Sequence, residues 1–369
     1  MALLSRIELK GFRSIKEMNL ELRPLNVLIG ANGAGKSNLV AFFKLLNEMM
    51  ALRLQQFIST TGRAQANLHF GPKATPQIEA TLEFKAEKGM NTYFMRLFHA
   101  AGDSLVFAEE SLSFLSHGWV GEPMPVDLGK GHLETRIGDE ANKGDPIAGA
   151  LRHFLNHCRV FHFHDTSSTA RIRQYCYLGD HRWLMPDAAN LAAMLYRWRQ
   201  ANTTVYGRIV QTVGQVAPFF ADFDLKPEGP NDRDIILNWR HRNSDSIFGP
   251  HQLSDGTLRA ICLIALLLQP EEELPDVIIV DEPELGLHPY ALNVVAALCQ
   301  AAAKHAQLVV STQSSTFLDS FEPEDVVIVE RAGDASKFSR PSAEALGNWL
   351  EDYGLGEIWE KNVMGGGPH

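Results

Sequence analysis

The densest chemistry in the chain is Gly30-Ala-Asn-Gly-Ala-Gly-Lys36-Ser37, which fits G-x-x-x-x-G-K-[ST] at every fixed position. Its glycines let backbone N–H groups curl around a β-phosphate. Lys36 adds a point charge over the β/γ oxygens, and Ser37 offers a hydroxyl to Mg²⁺. Asn32, Gly33, Ala34 and Gly35 supply the cradle, and Asn38 follows it. The loop opens a helix, whose N-terminus favours an anion. The expected ligand is a nucleoside triphosphate, ATP, with Mg²⁺.

A second constellation is Val277-Ile-Ile-Val-Asp281-Glu282-Pro283, an apolar run ending in two carboxylates. Asp281 is placed to hold the Mg²⁺ shell, and Glu282 to polarise a water against the γ-phosphate. A third is Gln252-Leu-Ser254-Asp255-Gly256-Thr257, just before an apolar helix. Ser254 reads as an N-cap and Gly256 leaves bare backbone, a site for an oxyanion. Each has a bland alternative: a chance glycine turn, a strand capped by solvated acids, an ordinary helix cap. Their occurrence together in one chain, in this order, argues against coincidence.

The elements that must position these residues follow from periodicity. Residues 3–10 and 17–22 alternate as strands, and 25–29 form a compact apolar run as in a buried strand. Helical spacing runs from Ser37 to about Met50. Residues 51–75 are polar and rich in turn formers, and read as a partly mobile excursion. Residues 77–115 alternate as antiparallel strands, and 116–145 read as loops around one more strand. Helices are expected at 147–157, 187–201 and 205–219, with a short strand at 159–163 between the first two. Strands return at 222–225, 234–239 and 246–248. A helix follows Ser254, then come strand 276–280, helix 289–304, strand 307–311 and strand 326–330. Strands alternating with helices call for a parallel sheet in an α/β fold.

Composition sets outer limits. The chain has 369 residues, 45% hydrophobic and 21% charged, close to ordinary globular averages. With 44 acidic against 34 basic residues the formal charge is −10, so any nucleic-acid contact must come from a local patch. The four cysteines are dispersed with no CxxC pair, which gives neither a disulfide framework nor a zinc pattern. The N-terminus gains charges too early for a signal peptide, and no apolar run reaches the ~20 residues a membrane helix needs. A cytoplasmic location is expected.

The order of motifs resembles that of ABC-type ATPases. LSDGT at 253–257 looks like their signature, whose common form is LSGGQ. The opening Ile7-Glu-Leu-Lys-Gly11-Phe12-Arg13-Ser14 resembles the start of RecF/SMC/OLD heads. The segments from His162 to Ser167, from Asn190, and from Leu355 to Asn362 resemble standalone bacterial AAA-family ATPases of this group that lack a TOPRIM domain. The resemblance implies a P-loop NTPase fold: an ABC-type head with a mostly parallel core sheet, an antiparallel β subdomain and a helical insert. The expected segments of this composite ATPase domain are 1–145, with the phosphate loop, the insert 146–220, and 221–369, with signature, Asp-Glu strand and switch.

It also implies a mechanism. Two heads pair head to tail around ATP, each nucleotide meeting Lys36 and Ser37 of one head and Ser254 and Gly256 of the other. Arg13 matches the arginine that reaches the nucleotide. Two departures stand out. Gln313 occupies the switch position usually held by His, and cannot carry a proton, so turnover is expected to be slow. Asp255 replaces the first signature glycine, and its charge near a neighbour's phosphates would weaken closure. A Q-loop glutamine is expected too, with Gln77 and Gln174 as candidates. The roughly 215 residues between phosphate loop and signature exclude the very long arms of SMC proteins. The roughly 55 residues after Gln313 are too few for a TOPRIM domain. A separately encoded effector, a TOPRIM-like nuclease or a toxin, is therefore expected, in DNA repair or anti-phage defence, with double-stranded DNA as a candidate partner and no membrane. The alternative is a nucleotide-gated scaffold that holds its effector with little hydrolysis. A transporter subunit fits neither the opening nor LSDGT.

Weaker patterns remain. His162 and His164, with Asp165 beside them, are a candidate metal pair, against a structural role for both histidines. Seven arginines between 152 and 199, interleaved with Tyr175, Tyr177 and Trp183, suit phosphates and stacked bases, or equally a protein interface, or merely balance acidic surface elsewhere. The tail from Gly365 to His369 is expected to be flexible, with Trp359 giving the segment before it something to bury.

Overall fold

The computed structural model describes residues 3–119, 121, 123–229, 231–342, 346–347 and 349–367. The chain folds as two compact units interleaved in sequence. One comprises the residues up to Val160, Pro275–Ile279 and Ala306 onward; the other comprises Phe161–Leu274 and Val280–His305.

The first unit holds two six-stranded sheets. One is antiparallel, in the order Ile15–Glu21, Leu3–Phe12, Gln77–Ala86, Gly89–Ala100, Ser104–Ser116, Val126–Asp127. Its buried positions alternate along Gln77–Ala86, as a sheet with one covered face requires. The other runs Ala335–Ser339, Val326–Ala332, Leu25–Ile29, Gln307–Thr312, Val277–Asp281, Cys158–Phe161. Leu25–Ile29 sits inside it, parallel to both neighbours, and all five of its residues are buried. The final residues of its last two strands, Val280, Asp281 and Phe161, belong to the second unit.

Helix Lys36–Met50 presents Leu39, Phe42, Phe43 and Leu46 to the core. Phe42 meets Phe12 of the antiparallel sheet edge-on at 5.8 Å. Gln307 is wholly buried, and its amide bonds both the N–H and the carbonyl of Leu4, so the parallel sheet is stitched to the antiparallel one.

The second unit centres on helix Asp255–Leu268, whose residues from Ala260 to Leu268 are all buried. Around it lie helices Leu191–Ala201, Thr203–Val216 and Pro289–Ala302. Phe220–Asp224, Asn238–His241 and Ile247–Phe248 form a small antiparallel sheet, and Cys176–Tyr177 pairs with Asp234–Ile235.

Several expectations are corrected. Residues 51–75 are not a loose excursion: they form helices Leu54–Thr60 and Arg63–Asn67, and Asn67 is wholly buried. A helix at Ile137–Asn142 and the edge strand Ala335–Ser339 are additional elements. The tail is tied down through Gly367. Trp359 Nε1 donates to the Gly366 carbonyl at 2.8 Å, and Gly367 N–H donates to Asn362 Oδ1 at 3.0 Å. Pro368 and His369 lie outside the described residues.

Candidate functional site

In the first unit the phosphate loop joins strand Leu25–Ile29 to helix Lys36–Met50. Gly35 has φ +119°, and a Cβ there would lie 2.0 Å from Ser336 Oγ, so only glycine fits. The buried Ser336 hydroxyl donates to the Ala34 carbonyl at 2.6 Å and lies 2.7 Å from Ser14 Oγ. Asn38 Nδ2 in turn donates to Ser14 Oγ at 2.6 Å. This polar chain ties the loop to the turn that also carries Arg13. Ser336 escapes the sequence reading because its strand is short and half polar.

Lys36 is only 5% exposed, and its ammonium donates to the carbonyls of Gly30 and Ala31. Ser37, Asn32 and Gly33 are exposed at the loop surface. Arg13 sits at φ 49°. Its guanidinium donates to Asn67 Oδ1 at 3.1–3.2 Å, and its N–H to the Asn67 carbonyl at 3.0 Å. Burial lowers its pKa from the usual arginine value. The two short helices read as an excursion therefore serve to hold Arg13. Thr312, the last residue of its strand, pairs with Ile29, so Gln313 follows immediately after the strand beside the start of the phosphate loop. An open cavity of about 430 Å³ borders the loop, lined by Ala31–Ala34, by Val329–Arg331 and by the tail at Gly365–Gly367.

In the second unit Ser254 is the N-cap of helix Asp255–Leu268, accepting from Thr257 N–H at 3.2 Å. Asp255 is not a lone charge. Arg173 donates to its Oδ1 at 2.8 Å, and the same guanidinium donates to the carbonyls of Thr166, Pro250 and Leu253. The expected repulsion by Asp255 is thus offset inside its own unit. Gly256 is set by packing: a Cβ there would lie 2.1 Å from the Gly286 carbonyl oxygen, in the turn after Glu282. Arg259, one helical turn on, donates to the carbonyls of Phe163, His164 and Leu285 at 3.1, 2.8 and 3.0 Å.

His164 Nε2–H donates to the Asp281 carbonyl at 2.9 Å. The strand expected at 159–163 ends at Phe161, so His162 and His164 lie beyond it, and His164 has a structural bond to the Asp281 carbonyl. Gln77 begins a strand of the first unit with its amide on Glu79, and Gln174 is exposed with its amide on Ser168. Asp281 Oδ1 is buried without a hydrogen-bond partner, a cost of ~1–3 kcal/mol for a polar group unless something binds it. A hard divalent cation such as Mg²⁺ fits that oxygen. Glu282 takes φ 46°, a left-handed conformation that costs a non-glycine residue ~1–3 kcal/mol.

The arginine-rich stretch is largely consumed internally. Arg171 pairs with Asp187 at 3.0 Å, Arg197 with Glu273, and Arg182 lies 4.7 Å from the Trp183 ring centre. Tyr175, Tyr177 and Trp183 remain exposed. Among the described residues no helix is long and apolar enough to cross a membrane.

Comparison with known proteins is consistent with this geometry. Residues 3–88 match a family model described as an AAA ATPase domain. Residues 176–319 match another AAA domain model, whose description names an AbiEii toxin and a type IV TA system. An OLD nuclease of Thermus scotoductus is 24% identical over 346 residues, covering 86% of this chain. The chain spans 60% of that relative's length. The fold resembles an Smc head bound to the C-winged helix domain of ScpA, at TM-score 0.61 and 16% identity, over 94% of this chain and 99% of that one. It likewise resembles an Smc head from Pyrococcus furiosus bound to the C-terminal domain of ScpA, at TM-score 0.62 and 14% identity, over 95% and 99%. Together the two AAA domain matches, the OLD nuclease relative and the Smc-head fold support a nucleotide-binding ATPase, an ABC-type head of the RecF/SMC/OLD-like group.

Proposed function

We propose that this chain is an ATP-binding, Mg²⁺-dependent ATP-hydrolysing switch that pairs head to tail with a second copy. It works in the cytoplasm in DNA repair or anti-phage defence, with a separately encoded effector. The observation that carries the reading is the phosphate loop, with Gly35 left-handed and Lys36 buried against the loop carbonyls.

In this reading the amides of Asn32, Gly33, Ala34 and Gly35 hold the β-phosphate oxygens. Lys36 exchanges its loop carbonyls for the β/γ oxygens, and Arg13 and Asn38 flank the nucleotide. Ser37 and Asp281 would hold Mg²⁺, which supplies charge neutralisation at the phosphates when bound. Glu282 accepts a proton from the attacking water, and Gln313 hydrogen-bonds the γ-phosphate. Ser254, Asp255 and Gly256 of the partner copy close over the same phosphate. The segments 1–145, 146–220 and 221–369 act as one composite ATPase domain. Most of the rate gain comes from fixed donors aimed at the transferring group.

The test is ATP turnover with and without double-stranded DNA, alongside the mass in solution with ATP. DNA-stimulated hydrolysis by ATP-dependent dimers supports the reading. One observation favours a second reading, a nucleotide-gated scaffold holding a toxin or nuclease: Gln313 cannot relay a proton. Tight ATP binding and stable assembly with background turnover would select it.

A further inference from the structure

We propose that His153, His157 and Asp276 of the first unit form a binding site for a borderline transition-metal ion of the Zn²⁺ class, separate from the phosphate loop. His153 lies in the last turn of helix Pro146–Asn156, and His157 is its C-cap residue, four positions on. Four-residue spacing stacks two side chains on one helical face, and the two imidazole centres are 4.0 Å apart. Asp276 comes from elsewhere in the sequence, immediately before strand Val277–Asp281. Its Oδ2 is 3.6 Å from His153 Nε2 and 3.9 Å from His157 Nδ1.

Those separations lie at the long end of ion-pair range and also suit ligands of one ion. They exceed hydrogen-bond length. Two atoms bound tetrahedrally at ~2.1 Å from one Zn²⁺ sit ~3.4 Å apart, so each imidazole is within a few tenths of an ångström of that spacing from Asp276 Oδ2. The ligand atoms of all three residues lie within 4.8 Å of one another. The side chains are accessible to an incoming ion, at 55%, 41% and 21% exposure.

The backbone beneath them is fixed. The His157 carbonyl accepts from Val277 N–H at 3.1 Å, the Asp276 carbonyl from Gln307 N–H at 2.8 Å, and His157 N–H bonds back to His153. Two imidazoles and one carboxylate select Zn²⁺, Cu²⁺ or Ni²⁺ over Mg²⁺, which prefers oxygen. A bound ion would clamp the helix to the start of the strand that ends in Asp281.

The test uses tag-free full chain stripped with chelator, then titrated with Zn²⁺ in calorimetry without nucleotide, with thermal unfolding as a second readout. The expected result is one Zn²⁺ per chain, a higher unfolding temperature with Zn²⁺, and no such rise with Mg²⁺. His153→Ala, at an exposed position, should fold as the parent and weaken Zn²⁺ binding at least tenfold. Asp276→Asn should weaken it while leaving both imidazoles in place. No stoichiometric Zn²⁺ binding by the parent chain, or unchanged binding in both variants, would overturn the proposal.

Discussion

Arg173 gives the sharpest test of how the signature loop is held. Its side chain is 5% exposed, whereas that of Asp255 is 64% exposed. The guanidinium satisfies three backbone carbonyls besides the carboxylate. Arg173→Ala strips the donor from all four, and leaving three buried carbonyls without it, at ~1–3 kcal/mol for each, costs ~3–5 kcal/mol after relaxation. Asp255→Asn leaves an amide oxygen to accept and removes a charge that water already screens, so its cost is ~0–1 kcal/mol. The two halves of one ion pair should therefore differ severalfold in effect. The assay is urea unfolding followed by tryptophan fluorescence, since Trp198 is buried in the same unit. At an m-value of ~3 kcal/mol/M the arginine variant should unfold ~1–1.7 M earlier. An arginine variant as stable as the parent, or an asparagine variant equally damaged, would refute the anchoring argument.

Lys36→Ala should abolish ATP binding, measured by calorimetry; unchanged affinity would remove the loop from the nucleotide site. Glu282→Gln should bind ATP, accumulate as dimer in solution and hydrolyse at least a hundredfold more slowly, and turnover at the parent rate would remove Glu282 from the base role. Arg259→Ala should retain ATP binding yet lose turnover, because three carbonyls around His164 and Leu285 lose their donor; full activity would sink that link. Native thiol titration should find one accessible cysteine per chain, lost in Cys176→Ser. Cys158, Cys262 and Cys299 are buried, with the Cys299 thiol pushed up to about 12 by burial; more than one fast thiol contradicts this packing.

The strands and helices that carry chemistry were legible because each combines a strong period with a punctuating motif. Leu25–Ile29 matches its expected span residue for residue, and Pro289 opens its helix at the first position as expected. What escaped notice depends on partners distant in sequence. Along Ser104–Ser116 the buried parity changes: Leu105 and Phe107 face in, and then Glu110 and Leu112 do. The cause is a bulge, with Ala108 extra between the pairs Arg96–Glu109 and Leu97–Phe107. Glu110 is thereby turned wholly inside, where Tyr93, Thr135 and the Arg136 N–H satisfy it. Strict alternation cannot show such a slip, because a one-residue insertion reverses every face after it.

The candidate site divides along the same line. Lys36, Ser37, Asp281 and Glu282 announce themselves, since each belongs to a local pattern whose spacing the chemistry dictates. Arg173, Arg259 and His164 do not, because their roles are contacts with carbonyl groups, which any residue can offer. Yet within the second unit they carry the connection between the named motifs. Arg259 on the signature helix grips the His164 carbonyl, and the His164 ring grips the Asp281 carbonyl. Gly256 rests on Gly286, four residues after Glu282, with no room for a methyl group. Displacing the N-terminus of the signature helix must therefore disturb the backbone on which Asp281 and the left-handed Glu282 are held. In the proposed pairing, a partner's phosphate arriving at Ser254 would act on the two carboxylates through hydrogen bonds and packing inside one compact unit. In the proposed head-to-tail pairing, that is a physical route by which a second copy would govern hydrolysis with Gln313 in place of a proton-carrying residue.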